Sequence, residues 1–468
     1  MHDLSIFGTS SDAGKSTFAF AIALLLQRRG ISVAPFKAQN VSNNAQVCDE
    51  GGEIAQPQYF TAEALGIASS SDMNPVLIKS GNASKAHLIV QGKSVGERHV
   101  LEYYRDIDTL KPIVSESFKR LKKRYECIVA EGAGSPVELN LMDRDLSNLY
   151  IAKTFQTKII IIADIERGGV FASIYGLYNL LPDTLKPNVI GVIINKFRGD
   201  RSLFDEGIEI IQNRFGLKVL GVVGYRPFNL GFEDAQSLSN YVQKTHKTRI
   251  KAGVITYPHL SNYTDLEPLI ADDEVSLLFI DTPSQAALCD VLILPGSKQV
   301  ASDLQWLLER GFEPILHSFK GTIVAICGGY EMLHERLLDP KKIESSTPII
   351  KGIGRIKGDV RFKRKKVLKK GTYKLFGTPI EGYEIHNGRA EKLGIKQKNL
   401  YATFVHGLFD SDAFRHKLFK RIDKHYKGYN FKKYKRNAIA HYADYIETQI
   451  DMQSIIKAMT PKELYENM

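Results

Sequence analysis

Residues 4–30 read LSIFGTSSDAGKSTFAFAIALLLQRRG, and their order decides the fold of the first half of the chain. Residues 4–7 are a short apolar run, as a buried strand requires. The loop Gly8–Thr17 follows, and the apolar helix that it opens stops at Gly30. Strand, glycine loop and helix in that order form the context of a phosphate-binding loop. Five residues separate Gly8 from Gly14, one more than the standard nucleotide loop has. The backbone N–H groups can still wrap a phosphate. Lys15 supplies a point charge, and Ser16 or Thr17 a hydroxyl for Mg²⁺.

Further apolar runs repeat through the N-terminal half. They are YECIVAEGAGSP (125–136), TKIIIIADIERGG (157–169), NVIGVIINKFRGD (188–200) and LKVLGVVGYRP (217–227), with helical segments between them. Continuous apolar strands alternating with helices predict a parallel sheet covered on both faces. Ligands bind such sheets at the carboxyl ends of the strands. Glu131, Asp164, Glu166 and Asn195 fall there, and Glu131 and Asp164 are candidate Mg²⁺ ligands.

A second α/β unit starts near residue 250 with RIKAGVITYP, VSLLFIDTP and CDVLILPGSK. Its decisive segment is TIVAICGGYEML (322–333). A strand ends at Cys327, Gly328 and Gly329 permit a sharp turn, and a helix opens beyond. A cysteine on that corner is exposed, close to backbone N–H groups and near the positive end of a helix, which suits a nucleophile. A cysteine nucleophile needs a base. His406 ends the run YATFV (401–405) and is the first choice; His386, in EGYEIHNGR, could orient substrate or its loop. No orienting carboxylate is evident, and Asp410 qualifies by proximity alone.

The chain has 468 residues, 43% hydrophobic and 25% charged, which predicts two or three ordinary globular domains. We expect a phosphate-loop domain over 1–235, a polar linker over 236–249 and a second α/β domain over 250–468, which carries the cysteine corner. No stretch approaches the roughly 18 apolar residues that span a bilayer. The N-terminus does not read as a signal peptide. Cys48, Cys127, Cys289 and Cys327 form no CxxC pair, which points away from zinc and disulfides and towards a reducing, cytoplasmic setting. The net charge of +11 includes a dense run, RFKRKKVLKK (361–370). It reads as a strand with a basic solvent face followed by a turn at K370-G-T, a surface suited to a polyanionic small molecule and not to nucleic acid.

The segments GTSSDAGKS (8–16), APFKAQNVSNN (34–44), DMNPVLIK (72–79), VAEGAGSPVELNL (129–141), NKFRGD (195–200), SNYTDLEPL (261–269), LPGSK (294–298), CGGYEML (327–333), EGYEIHNGR (381–389) and VHGLFD (405–410) occur in this order, and together they resemble the cobyric acid synthase family of cobalamin biosynthesis. The resemblance implies a dethiobiotin-synthetase-like P-loop domain followed by a class I glutamine amidotransferase domain. It implies ATP and Mg²⁺ as cofactors, with Gly8, Thr9, Asp12, Gly14, Lys15, Ser16 and Thr17 around the nucleotide. Lys37 and Gln39 would meet the γ-phosphate or a substrate carboxylate. Asn195 would read adenine, and Ser16, Glu131 and Glu53 would serve the metal. Cys327 and His406 would be nucleophile and base, with N–H groups near Gly296 and Gly328 as the oxyanion hole. The implied substrates are glutamine and a corrinoid polyacid, adenosylcobyrinic acid a,c-diamide, with no nucleic-acid or membrane partner.

Two departures stand out. Glu331 occupies a position where the family usually has glutamine, so a carboxylate there would weaken donor binding or make a different hydrogen bond. The acid two residues after the base, found in many class I enzymes, is absent: Leu408 stands there. A Cys–His dyad is therefore expected.

Overall fold

The computed structural model describes residues 1–80, 85–228, 230–231 and 248–461. Residues 236–247 of the expected linker lie outside them. The chain forms two compact units that do not follow a linear division. The first comprises Met1–Val41, Pro57–Phe228 and Arg436–Met468, and the second Ser42–Gln56 and Asn229–Lys435. Local physics explains both exchanges. Residues 45–47 and 53–55 pair as a hairpin, and Asn262 Nδ2 donates to Ala45 O at 2.7 Å, which holds that hairpin in the second unit. The C-terminal stretch is bound to the first unit by Lys218–Asp451 (3.0 Å), Arg28–Asp444 (2.5 Å) and the bond from His2 N–H to Met459 O (2.8 Å).

The first unit is built on a six-stranded parallel sheet. Its spatial order is Val219–Gly224, Val189–Phe197, Lys158–Asp164, Leu4–Gly8, Cys127–Glu131 and Val33–Phe36. The continuous apolar runs are buried on both faces: Ile159 to Ile162 are fully inaccessible. Lys15–Arg28 packs as a helix whose residues Phe18 to Leu26 are all buried, which is why its sequence is apolar all round. The first strand lies in the middle of the sheet, so the loop after it opens at the carboxyl edge, where ligands bind.

The second unit has its own six-stranded sheet, ordered Val275–Ile280, Ile250–Ile255, Val291–Leu294, Thr322–Ile326, Leu400–Thr403 and Gly394–Gln397. The first five strands are parallel and the last is antiparallel. The basic run differs from its expected form. One strand, Ile356–Arg361, ends where the run begins, and Val367–Leu375 continues straight through Lys370-Gly371-Thr372 as half of a hairpin with Thr378–His386. The turn thus falls at 362–366, where the cations lie densest and repulsion disfavours close strand pairing. Two of these cations are paired, Lys366 with Glu53 (2.8 Å) and Lys370 with Asp49 (2.6 Å). Among the described residues, no helix is long and apolar enough to cross a membrane.

Candidate active sites

In the first unit, the loop from Gly8 to Thr17 turns through two left-handed residues, Asp12 (φ 59°) and Gly14 (φ 103°). Gly8 is required by close approach, since a Cβ there would lie 2.9 Å from the Lys15 side chain. Lys15 Nζ folds back to donate to Ser10 O at 2.9 Å, and Thr9 N–H donates to Ile162 O at 3.0 Å. Thr17 follows in the first turn of the helix. Glu131, at the end of the neighbouring strand, gathers three partners. It accepts from Ser16 Oγ (2.6 Å), Lys37 Nζ (2.7 Å) and Gln58 Nε2 (3.1 Å). A hydroxyl beside a carboxylate is a hard-oxygen donor set that suits Mg²⁺. Among the described residues no three His, Cys, Asp or Glu side chains cluster as a metal cage. Magnesium commonly takes one or two protein oxygens and completes its shell with phosphate and water, so Ser16 and Glu131 fit it.

Other residues expected at this site have different partners. Asn195 Nδ2 donates to Ala13 O at 2.8 Å, so its amide braces the phosphate loop. Gln39 is clamped by Tyr103 OH on its side chain and by Ser147 Oγ on its backbone, at 3.0 Å in both directions. Asp164 is paired with Lys196 (2.8 Å) and Glu166 with Arg198 (2.6 Å), so neither joins Glu131. Glu53 belongs to the second unit, where Lys366 holds it. Gln58 was not legible as a site residue, because no charged residue lies within four positions of it and nothing local marks it.

In the second unit, the strand Thr322–Ile326 ends at Cys327, and the helix Gly328–Met332 begins at once. Cys327 sits at φ 52°, ψ −110°, strained for a residue with a side chain. Gly328 and Gly329 allow the corner to close: a Cβ would approach Ser297 N at 2.8 Å and Leu294 O at 2.3 Å, respectively. The neighbouring strand pairs Thr403 with Ile326, and Cys327 N–H donates to Thr403 O at 2.8 Å. His406 follows that strand. Cys327 and the His406 imidazole thus leave the carboxyl ends of two adjacent parallel strands.

A carboxylate stands behind the imidazole. His406 Nδ1 and Asp265 Oδ2 are 2.7 Å apart, and the other Asp265 oxygen accepts from Gly407 N–H at 2.6 Å. The expected dyad is therefore backed by an acid, which comes from a segment far upstream and not from the loop after the histidine. His406 is 1% exposed, its ring stacks on Tyr383 at 4.9 Å, and its Nε2 has no hydrogen-bond partner among the described residues. With Nδ1 committed to Asp265, Nε2 is the nitrogen left to accept a proton. Gly296 lies under the ring: a Cβ there would come within 3.1 Å of His406 Cε1. Asp265, and not Asp410, is the acid that holds the imidazole.

Cys327 is not exposed as expected: it packs into the core of the second unit with 6% of its surface accessible, and burial, then the nearby Glu331 carboxylate, push its thiol well above the ordinary range. Burial and then Glu344 do the same to Glu331. Glu331 is not ion-paired with Arg389, whose guanidinium is spent on the carbonyls of His386, Asn387, Gly388 and Lys365. His386 has both ring nitrogens occupied, by Gly388 O (2.8 Å) and Glu384 Oε2 (3.2 Å), and shapes the following loop.

These two centres coincide with two family matches. Residues 4–229 match the CobQ/CobB/MinD/ParA nucleotide binding domain, and residues 251–414 match the CobB/CobQ-like glutamine amidotransferase domain. A cobyric acid synthase of Acinetobacter baylyi is 54% identical over 98% of this chain and 99% of its own. One from Chlorobium phaeobacteroides is 37% identical over 89% of this chain and 90% of its own. Among solved structures, a glutamine amidotransferase aligns at 11% identity and a TM-score of 0.28, covering 36% of this chain and 97% of that one. The similarity to curated relatives runs nearly end to end through both units, and the chain belongs to the cobyric acid synthase family.

Proposed function

We propose that this protein uses ATP and glutamine to amidate the b, d, e and g carboxylates of adenosylcobyrinic acid a,c-diamide, giving adenosylcobyric acid. The observation that carries this reading is the 54% identity to a cobyric acid synthase over 98% of the chain. The two centres supply the chemistry it needs.

A carboxylate is a poor acyl donor, because ammonia would have to expel oxide. Attack of the carboxylate oxygen on the γ-phosphorus of ATP releases ADP and leaves an acyl phosphate, whose phosphate departs readily. The N–H groups of the Gly8–Thr17 loop and the Lys15 ammonium hold the phosphates. Ser16 and Glu131 would hold Mg²⁺, which when bound neutralises charge on the transferring phosphoryl group. Lys37, paired with Glu131 at 2.7 Å, places a second cation at the same strand edge.

At the other centre, Cys327 gives its proton to His406 Nε2 while its sulfur attacks the carboxamide carbon of glutamine. Asp265 fixes the imidazole tautomer and stabilises the imidazolium. The tetrahedral oxyanion falls to N–H groups beside Gly328 and Ser297. His406 then returns the proton to the leaving nitrogen, ammonia departs, and water hydrolyses the thioester to glutamate. All four cysteines are free, which suits a reducing cytoplasm.

The test is mass analysis of the corrinoid after incubation with the a,c-diamide, ATP, Mg²⁺ and glutamine. Four successive replacements of hydroxyl by amino are expected. An unchanged corrinoid, with ATP and glutamine both consumed on another acid, would overturn the reading.

A further inference from the structure

The turn Pro295–Lys298 lies against both His406 and the residue that follows Cys327. Gly296 lies under the His406 ring, and Ser297 N lies 2.8 Å from where a Gly328 Cβ would stand. The direction of the Ser297 N–H follows from strand register. Gly296–Ser297 pairs antiparallel with Leu260–Ser261, and Lys298 N–H donates to His259 O at 2.9 Å. In an antiparallel ladder, hydrogen-bonded and non-hydrogen-bonded pairs alternate. The 298/259 and 296/261 pairs are then the bonded ones, and 297/260 is not. The Ser297 N–H therefore points away from that ladder, towards the elbow.

A donor for a transient oxyanion acts only if it is held in place before the charge develops. The group that holds Ser297 is Asp303, in the helix Val300–Glu309. Asp303 is fully buried and makes no ion pair with Lys or Arg among the described residues. One carboxylate oxygen accepts from Ser297 Oγ at 2.5 Å. The other accepts from His259 N–H at 3.1 Å and lies 2.8 Å from His259 Nδ1. One carboxylate thus clamps both strands of the short ladder. Ser297 Oγ in turn accepts from Gln299 N–H at 3.1 Å, which closes the turn. Proline 295 is fixed separately, by Tyr257 OH and by Gly329 N–H at 3.1 Å.

We propose that Asp303 is a positioning residue for catalysis, which aims the Ser297 N–H at the oxyanion formed when Cys327 attacks glutamine. This rests on the glutaminase reading of Cys327. It adds a residue two shells from the sulfur, and assigns it to one step.

The step makes the test specific. Asp303→Asn keeps the size of the side chain and removes its charge and one acceptor; Ser297→Ala keeps the backbone N–H and removes the hydroxyl anchor. The full chain is assayed for glutamine hydrolysis in the complete reaction mixture, and separately for alkylation of Cys327 by iodoacetamide, read by peptide mass. Alkylation displaces iodide and forms no oxyanion. Asp303→Asn is expected to lower kcat for glutamine at least about tenfold with KM little changed, a part of the about 10²–10³-fold cost of losing such a donor. Ser297→Ala should fall between it and the parent. Alkylation should stay within about twofold of the parent in both, as should amidation with ammonium chloride, which checks folding. Equal losses in alkylation and in kcat, a change confined to KM, or an unchanged kcat would each overturn the proposal. If the parent protein releases no ammonia from glutamine, the glutaminase reading itself falls, which the variants alone could not reveal.

Discussion

The imidazole of His406 and the carboxylate of Asp265 meet at 2.7 Å although 141 positions separate them in the chain. Both are almost inaccessible to water, and Asp265 holds the next residue as well, through Gly407 N–H at 2.6 Å. That double grip fixes the ring and leaves Nε2 without a hydrogen-bond partner among the described residues.

Asp265→Asn presents an amide in place of the acceptor and so favours the wrong imidazole tautomer. Glutamine-dependent amidation should fall about a hundredfold or more, in the direction known for this change behind a catalytic histidine. Amidation supported by ammonium chloride should persist. Steady-state rates with the two nitrogen sources check this, and a parallel fall in both would contradict the role.

Cys327→Ala removes the cysteine at the strand-to-helix corner. Glutamine should cease to support amidation, while high ammonium chloride still does. Normal use of glutamine by this variant would exclude the elbow as the glutaminase centre.

Lys15→Ala removes the cation of the phosphate loop. Amidation should drop at least about a hundredfold with either nitrogen source, equal to about 2.7 kcal/mol of transition-state stabilisation. Covalent labelling of Cys327 by a glutamine analogue should survive, and its loss in a folded variant would mean that the loop also governs the thiol.

Glu331 offers a pH test. Burial and the Glu344 carboxylate raise its folded value well above 4.5, and Glu344 itself is pushed up to about 7. A carboxyl raised in the folded state contributes stability that is fully present below its unfolded value and lost as pH rises through the folded one. The parent should therefore lose stability as pH rises above the unfolded carboxyl range, towards the value of about 7 for Glu344 and the raised value of Glu331. Glu331→Gln cannot ionise there. Its melting temperature relative to the parent should climb with pH across that window, and a constant difference between pH 5 and pH 8 would show that Glu331 does not titrate as argued.

Much of this was legible in the sequence because its signals are local. Apolar runs such as KIIIIAD and VLIL require burial on both faces, which only a covered parallel sheet offers. Glycines in Gly8–Gly14 and Cys327–Gly329 are local as well, since backbone geometry must be met where it occurs. The loop, Cys327 at its corner and His406 after its strand were therefore visible as residue types in fixed spacing. What sequence could not decide is which distant side chains complete each centre. Asp265 and Asp303 look like ordinary surface acids in SNYTDLEPL and in the helix after LPGSK. Folding buries both against polar hydrogens that water can no longer satisfy, and that desolvation makes their partners obligatory. The same competition moved Asn195 onto the loop backbone, gave Glu53 to Lys366, and drew residues 42–56 into the second unit. Strand pairing and ion pairing act through space, with energies set by neighbours that lie up to 313 positions away, so only the tertiary structure could assign them.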